Sequence, residues 1–272
     1  MQDCGDDYIV IEDFMNKITS PESLCVTLCD RHTGIGADGI VLIRISLRAD
    51  ARMISYNRDG TRAEIGGNNL RFMAKYLYDQ GIVRKTNMSI ETDVGVRTMH
   101  LFLRNGKVHS VTVDMGRPDF ACENIPVKTE EKEMIQKPLT IHEHIYTVTC
   151  VKVGSPNCVI FDDHIEEINL QEVGPYFENA DLFPERTNTE FVRVVDESTL
   201  KVRVYERGNG VTNGCGIDAC AAAAAAVRIG YCRDEMPIKV ELPGGSVTVT
   251  IHNGRVMLNG GCETVFEGTF AY

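Results

Sequence analysis

Residues 212–229, with the sequence TNGCGIDACAAAAAAVRI, place a glycine-rich turn directly before a run of small residues. The small residues predict a helix over Cys215–Ile229, and Cys215 falls where that helix begins. The first N–H groups of a helix have no partner within it, so they stabilise a thiolate or bind a carboxylate. The turn by itself leaves two interpretations open: a reactive thiol at an anion site, or a cysteine packed beneath a glycine-rich cap.

A similar turn lies 149 residues earlier, where residues 64–71 read EIGGNNLR and glycine stands in place of the cysteine. Further segments recur in the same order at almost the same offset. The pairs are Gly5–Ile11 with Gly154–Ile160, Tyr56–Arg58 with Tyr205–Arg207, Gly66–Gly67 with Cys215–Gly216, Glu91 with Glu241, and Asn105–Val108 with Asn253–Val256. Chance does not readily produce such agreement, so we predict two homologous halves.

Strand-like alternation dominates both halves, and each half contains a short helical stretch after its glycine-rich turn. Asn105-Gly106 and Asn253-Gly254 are typical of tight hairpin turns. The pattern predicts an α+β protein in which each half wraps a mostly antiparallel sheet around one central helix. If the halves are related by a pseudo-twofold axis, the cleft between them is the expected ligand site.

Composition and charge exclude several classes of protein. The 272 residues are 43% hydrophobic and carry a net charge of −11 without a basic run, which argues against nucleic acid or a membrane surface as partner. The N-terminal sequence MQDCGDDYIV has no features of a signal peptide. The ten cysteines form no disulfide or zinc pattern, so we expect a cytoplasmic protein without a metal.

Six motifs resemble those of the diaminopimelate epimerase family, and together they cover nearly the whole chain. They are Gly5–Tyr8 (GDDY), Asp30–Gly39 (DRHTGIGADG), residues 57–64 (NRDGTRAE), Phe183–Asn188 (FPERTN), Glu206–Gly210 (ERGNG) and Cys215–Cys220 (CGIDAC). The resemblance implies an isomerase that converts LL- to meso-diaminopimelate without any cofactor, in the synthesis of lysine and peptidoglycan precursors. It also implies that residues 264–272 return as a final strand to the first half. The halves are then residues 1–117 with 264–272, and residues 118–263. A homodimer is a further expectation.

In this family two cysteines, one in each half, lie on opposite faces of the substrate α-carbon. One removes a proton as the thiolate, and the other returns a proton as the thiol. By resemblance, Cys215 is one of this catalytic pair, and Glu206 contacts an amine and supports proton transfer. Both glycine-rich turns would bind the reacting carboxylate through backbone groups, and Arg207 would pair with the distal carboxylate. The implied substrate-binding residues are Asp6, Asn57, Gly66, Gly67, Asn68, Ser155, Asn188, Glu206, Arg207, Gly216 and Ile217.

The departures from the family pattern are concentrated at this same site. The partner cysteine corresponds to Gly66, which has no side chain to carry a proton. Asp6 and Ser155 stand where the family has asparagine, Asn157 where it has histidine, and Asp218 where it has glycine. Because the loops keep most of their glycines, we interpret the changes as a selective alteration of the pocket.

Three functional hypotheses follow. The first is an epimerase with diaminopimelate as its leading substrate, and the second is a lyase or isomerase that uses Cys215 as its only base. The third is an amino-acid-binding homologue with impaired catalysis. One positioned acid–base group contributes about 10²–10⁴-fold to a rate, so the absence of a thiol at Gly66 weighs against efficient inversion. Solvent deuterium distinguishes the three, because they give inversion, exchange without inversion, or neither.

Overall fold

The computed structural model describes residues 1–63 and 67–270, and the chain divides into two compact units. Unit 1 consists of Met1–Asp114 and Asn259–Tyr272, and unit 2 consists of Met115–Leu258. The homology of the two halves remains a prediction, and so do the domain boundaries given above. Among the described residues, no helix has the length and apolar character needed to cross a bilayer.

In its described residues, unit 1 contains two helices and a sheet whose strands β1 to β7 are neighbours in chain order. The strands β2 and β3 are parallel, as are β4 and β5, and the other neighbours are antiparallel. A parallel pair needs a crossover connection, and α1 and α2 provide the two crossovers. The elements are β1 (Gln2–Asp3), β2 (Asp6–Glu12), α1 (Pro21–Cys29), β3 (Gly39–Arg44), β4 (Ala51–Asn57), α2 (Gly67–Asp79), β5 (Asn87–Thr92), β6 (Gly95–Arg104) and β7 (Lys107–Gly116).

Unit 2 repeats this plan, with the strand order β8-β9-β10-β11-β12-β14-β15-β16 and β13 paired to β12. Its two parallel pairs are β10 with β11, joined through α3, and β12 with β14, joined through α4. The elements are β8 (Lys137–Ile141), β9 (His144–Val153), β10 (Ser155–Phe161), α3 (Leu170–Glu178), β11 (Asn188–Asp196), β12 (Thr199–Glu206), β13 (Gly210–Val211), α4 (Gly216–Ile229), β14 (Ile238–Leu242), β15 (Gly245–His252) and β16 (Arg255–Gly260). A 3₁₀ turn at Ile165–Glu167 precedes α3.

The second helix of each unit is buried by its sheet, so the predicted α+β class with sheets around central helices is confirmed. Every residue from Gly216 to Ala226 of α4 is buried, and the helix packs against β9, β10, β11, β12, β14 and β15. The short alanine side chains let the strands approach closely, and alanine is also the best helix former. In unit 1, Leu70 and Phe72 of α2 are fully buried.

Both predicted hairpin turns are present. Asn105 and Gly106 have φ angles of 52° and 76°, and Asn253 and Gly254 have φ angles of 51° and 71°. Positive φ at both central residues is the condition for the tight turn that matches the twist of two antiparallel strands. The Asn-Gly pairs therefore set the connections of β6 to β7 and of β15 to β16.

The prediction of a final strand over residues 264–272 is wrong for its described part. Residues 264–270 contain no strand, and only Glu263 pairs with Gln2, through two backbone hydrogen bonds of 2.9 Å. The reason is that β1 ends at Asp3, so it has almost no backbone edge with which a further strand could form hydrogen bonds. The segment does belong to unit 1, and residues 271–272 lie outside the described residues.

The buried face of α2 provides a test of the fold. We expect Leu70→Ala to lower the free energy of unfolding by about 2–5 kcal/mol, because the removed methyl groups leave a cavity in a fully buried position. Leu47→Ala is the matched control, since Leu47 is fully exposed and should change stability by less than about 0.5 kcal/mol. Urea unfolding measures both, and similar values for the two variants would contradict the packing of α2.

Candidate active site

Cys215 is the N-cap residue of α4 and forms a reciprocal capping box with Asp218. The Asp218 backbone N–H donates to the Cys215 sulfur, and the Cys215 N–H donates to Oδ2 of Asp218 at 2.7 Å. Gly214 precedes the cysteine with a φ of +79°, a conformation that L side chains rarely adopt. Cys215 is partly exposed, whereas the other nine cysteines are buried. The turn thus presents the thiol at the positive end of a buried helix.

Glu206 lies beside this cap because β12 ends there and the chain turns back through β13. The turn is held by pairing between Glu206 and Gly210. The Glu206 carboxylate accepts hydrogen bonds from Thr212 Oγ1 at 2.7 Å and from Asn209 Nδ2 at 3.2 Å. The Cys215 sulfur, one carboxylate oxygen of Glu206 and one of Asp218 all lie within 4.8 Å of one another. A thiol and two carboxyl groups therefore share one small volume.

The three residues have donor types that can bind a metal ion. However, the Cys215 sulfur and Oδ2 of Asp218 already accept N–H groups from the first turn of α4. This use accounts for their positions through helix capping alone. We therefore assign no metal site to the group.

Two carboxyl groups near the cysteine are fully buried, Asp218 on α4 and Glu190 on β11. Burial raises the pKa of Asp218 well above its ordinary value, and the nearby Glu206 carboxylate raises it further. Burial also raises the pKa of Glu190, with a smaller contribution from Asp218. For both groups burial thus favours the protonated form, because a buried carboxylate is strongly disfavoured.

A polar network in unit 2 connects several residues of the implied substrate set. Asn188 donates from Nδ2 to Ser155 Oγ and to Asn157 Oδ1, each at 3.2 Å, and its Oδ1 accepts the Arg207 N–H at 2.9 Å. The Arg207 side chain donates from Nη1 to the carbonyl oxygen of Glu185 at 2.9 Å. Ser155, Asn157 and Asn188 are buried, so these bonds hold their side chains in fixed orientations.

This network reaches the start of α4. A Cβ added to Gly154 would lie 3.4 Å from Cδ1 of Ile217, so the loop before Ser155 contacts the first turn of the helix. Glu206 and Arg207 are adjacent in the chain and join the two groups. The structure thus brings together all the unit 2 residues of the implied set, namely Ser155, Asn188, Glu206, Arg207, Cys215, Gly216 and Ile217.

In unit 1, Asp6 and Asn68 meet at the start of α2. Asn68 donates from Nδ2 to Oδ2 of Asp6 at 2.9 Å, and its Oδ1 accepts a hydrogen bond of 2.7 Å from the fully buried Arg71. Arg71 also forms an ion pair with Asp3. Gly67 begins α2 in the described chain, and Gly66 lies outside the described residues.

Asn57 is held separately from this group, at the end of β4. Its side chain donates to Thr61 Oγ1 at 3.1 Å, and its backbone N–H bonds to the Thr61 carbonyl oxygen at 2.9 Å. The structure therefore brings Asp6, Gly67 and Asn68 together and engages Asn57 in its own turn.

Sequence reasoning assigned no role to Asp3, Arg71, Glu190 or Asp218. Asp218 carried a readable signal, because an acidic residue three positions after an N-cap is typical of a capping box. The pairing of Asp3 with Arg71 spans 68 positions and leaves no local pattern. Glu190 lies in a stretch of β11 that is buried on both faces, so strand alternation does not identify it.

The fold is one that solved racemase and epimerase structures share. A probable proline racemase from Agrobacterium radiobacter K84 has the same fold, with a TM-score of 0.74 at 15% identity over 98% of this chain and 90% of that one. The model of the diaminopimelate epimerase family matches residues 1–121 and 149–263.

Two relatives are similar to this chain in amino-acid sequence over nearly their whole length. A diaminopimelate epimerase from Desulfovibrio desulfuricans is 41% identical, covering 99% of this chain and 96% of its own length. One from Methanococcus maripaludis is 40% identical, covering 98% and 97%. The chain therefore belongs to the diaminopimelate epimerase family and is an isomerase.

The Asn188 network leads to a prediction about stability. We expect Asn188→Asp to reduce the free energy of unfolding by about 1–3 kcal/mol, because the carboxylate cannot donate to Ser155 or Asn157 and would itself be buried. Chemical denaturation near neutral pH measures the effect.

The control for this variant is Asn105→Asp, at an exposed hairpin position where Asp-Gly also suits the turn. It should change stability by less than about 0.5 kcal/mol. If both variants cost the same, Asn188 does not have the buried donor role described here.

Proposed function

We propose that the protein epimerises diaminopimelate at one α-carbon, converting the LL to the meso form without a cofactor. The observation that carries the proposal is the position of the Cys215 thiol at the start of α4, where it accepts a helix N–H. Membership of the family and the high identity to two diaminopimelate epimerases support the choice of substrate.

The start of α4 supplies the groups that removal of an α-proton requires. Cys215 as the thiolate takes the proton, and the Asp218 N–H that bonds to its sulfur stabilises the negative charge of that thiolate. The N–H groups of Gly216 and Ile217, in the first helical turn, bind the substrate α-carboxylate and stabilise the charge that develops on it. Inversion also requires a proton to be returned to the opposite face of the α-carbon, and because Gly66 has no thiol, a water molecule supplies that proton in this proposal.

The distal end of the substrate carries a second ammonium and a second carboxylate group. The Arg207 guanidinium is the charged group that pairs with this carboxylate, and Asn188 fixes the Arg207 backbone through its hydrogen bond of 2.9 Å. The Glu206 carboxylate contacts a substrate amine. Asp6, Asn57, Gly67, Asn68 and Ser155 complete the proposed substrate-binding set, as does Gly66, which lies outside the described residues.

A second candidate function is favoured by one observation, the glycine at position 66. With Cys215 as the only thiol of the pair, the enzyme would act as a lyase or isomerase on one face of its substrate. Proton removal by Cys215 would then lead to exchange with retention or to an unsaturated product.

We also propose a cellular location and an oligomeric state for the protein. All ten cysteines are free thiols, which supports a reducing compartment such as the cytoplasm. The net charge of −11 supports a protein that does not bind nucleic acid. Exposed Val265 and Phe266 support the pairing of two chains, and light scattering should then give twice the chain mass of 30.2 kDa.

Proton NMR in D₂O with LL-diaminopimelate tests the reaction. We expect loss of an α-proton signal together with appearance of the meso form, and we expect Cys215→Ala to abolish both changes. Cys232→Ala is the matched control, because this buried cysteine lies beyond the end of α4, and it should retain the activity. Exchange with retention, or a new vinyl signal, would favour the one-base reaction, and no exchange at all would favour a binding protein.

Position 66 can be tested by adding the missing thiol. We expect Gly66→Cys to raise the rate of inversion by about 10²–10⁴-fold, the usual contribution of one positioned acid–base group. Gly66→Ser, which adds a side chain of similar size without a readily ionised group, should not produce this gain. An unchanged rate in the cysteine variant would mean that a thiol at this position does not reach the substrate.

A further inference from the structure

Asp218 stands where the family pattern has glycine, and the structure describes the contacts of its side chain in detail. Its side chain is fully buried beneath the first turn of α4, and Oδ2 accepts the Cys215 N–H at 2.7 Å. The other oxygen, Oδ1, is buried and has no hydrogen-bond partner among the described residues. An ionised Asp218 would therefore leave a charged oxygen without a donor, which is strongly unfavourable.

A carboxylate oxygen of Glu206 lies within 4.8 Å of a carboxyl oxygen of Asp218, but Glu206 is in the opposite situation. Its Oε1 accepts from Thr212 and its Oε2 accepts from Asn209, and its side chain is partly exposed. Both oxygens of Glu206 therefore have a hydrogen-bond donor, and the side chain is in contact with solvent. Within the described part of the chain, the buried Asp218 carboxyl group thus has no donor to its Oδ1, whereas both oxygens of Glu206 accept hydrogen bonds.

The remaining titratable groups around Asp218 do not change this assignment. Glu190 on β11 is fully buried, and both of its oxygens are without a partner among the described residues, so it is neutral as well. Cys150 on β9 and Cys158 on β10 are buried thiols near Glu190, and burial raises the pKa of Cys158. The Cys215 thiol is the group that faces both Asp218 and Glu206.

We propose that Asp218 and Glu206 share one proton beside Cys215, so that Asp218 is a positioning residue and the pair carries a single negative charge, held on Glu206. Asp218 then has two tasks. Its carbonyl-type oxygen caps the Cys215 N–H, and its proton removes the repulsion between two adjacent carboxyl groups. The arrangement fixes the charge that the Cys215 thiol experiences near neutral pH.

This assignment has a direct consequence for the reactivity of Cys215. A negative charge within about 4–6 Å of a thiol disfavours its ionisation, commonly by one pKa unit or more. Removing the charged member of the pair should therefore increase the thiolate fraction, whereas removing the neutral member should not. The two carboxyl groups are distinguished by which substitution changes the titration of the thiol.

The test is the rate of alkylation of Cys215 by iodoacetamide between pH 5 and 10, followed by peptide mass mapping. Cys215 is the one cysteine that is not buried, so its labelling is readily separated from the others. We expect Glu206→Gln to speed alkylation at pH 7 by about tenfold or more, through a midpoint shifted to lower pH. We expect Asp218→Asn, whose amide oxygen still caps the Cys215 N–H, to leave the midpoint where it is and the rate at pH 7 within about twofold.

A control and a second variant keep the result interpretable. Asp196→Asn removes an exposed carboxylate that caps the turn at Ser198, and it should leave the labelling of Cys215 unchanged. Asp218→Ser retains an oxygen that can accept the Cys215 N–H, and it replaces Asp218→Asn if that variant does not fold. A change in access alone would alter the limiting rate at high pH and not the midpoint.

Two outcomes would overturn the proposal. If Asp218→Asn shifts the midpoint as far as Glu206→Gln does, both carboxyl groups are ionised in the native protein. If Glu206→Gln produces no shift, the charge does not reside on Glu206. The inference takes from the proposed function only that Cys215 is the reactive thiol, and alkylation needs no substrate, so the two proposals fail independently.

Discussion

The start of α4 is the constraint on which unit 2 depends, because a helix buried over residues 216–226 begins with N–H groups that water cannot readily reach. Cys215 and Asp218 provide hydrogen-bond acceptors at this end of the helix, because the side chain of each accepts the backbone N–H of the other. The same bonds orient the thiol, so helix stability and chemistry use one set of contacts. The alanine run that follows lets six strands pack against the helix and keeps this cap in place.

The carboxyl groups show how burial assigns protonation states. Asp218 and Glu190 are fully buried, which favours their protonated forms, whereas Glu206 accepts two hydrogen bonds at a partly exposed position. In unit 1, a buried charge is compensated by an ion pair instead. At the start of α2, the buried guanidinium of Arg71 is compensated by Asp3 and Asn68, and Asn68 also holds Asp6. Among the described residues, the start of α2 thus has a guanidinium group paired with a carboxylate, whereas the start of α4 has two neighbouring carboxyl groups.

Local sequence patterns predicted much of this molecule because they reflect local physical requirements. The Asn-Gly hairpins follow from positive φ at two positions, and the central helices follow from small or periodic apolar residues after a glycine-rich turn. The final strand was predicted wrongly, because an extended segment becomes a strand only where a neighbouring edge offers a ladder. The ion pair of Asp3 with Arg71 could not be predicted, since its partners are distant in the chain and neither lies in a recognisable pattern of charges.

The sequence by itself determined the α+β class, the internal repeat, the family and the position of Cys215 at a helix start, since each depends on residues that are neighbours in the chain or on motifs read in order. Only the tertiary structure decided that Asp218 is enclosed beside Glu206, that the Glu190 oxygens are buried without a hydrogen-bond partner among the described residues, and that Asn188 joins Ser155 to Arg207. These facts depend on burial and on contacts between separate strands and helices. Such contacts set the charge of each side chain, and residue identity alone does not specify them.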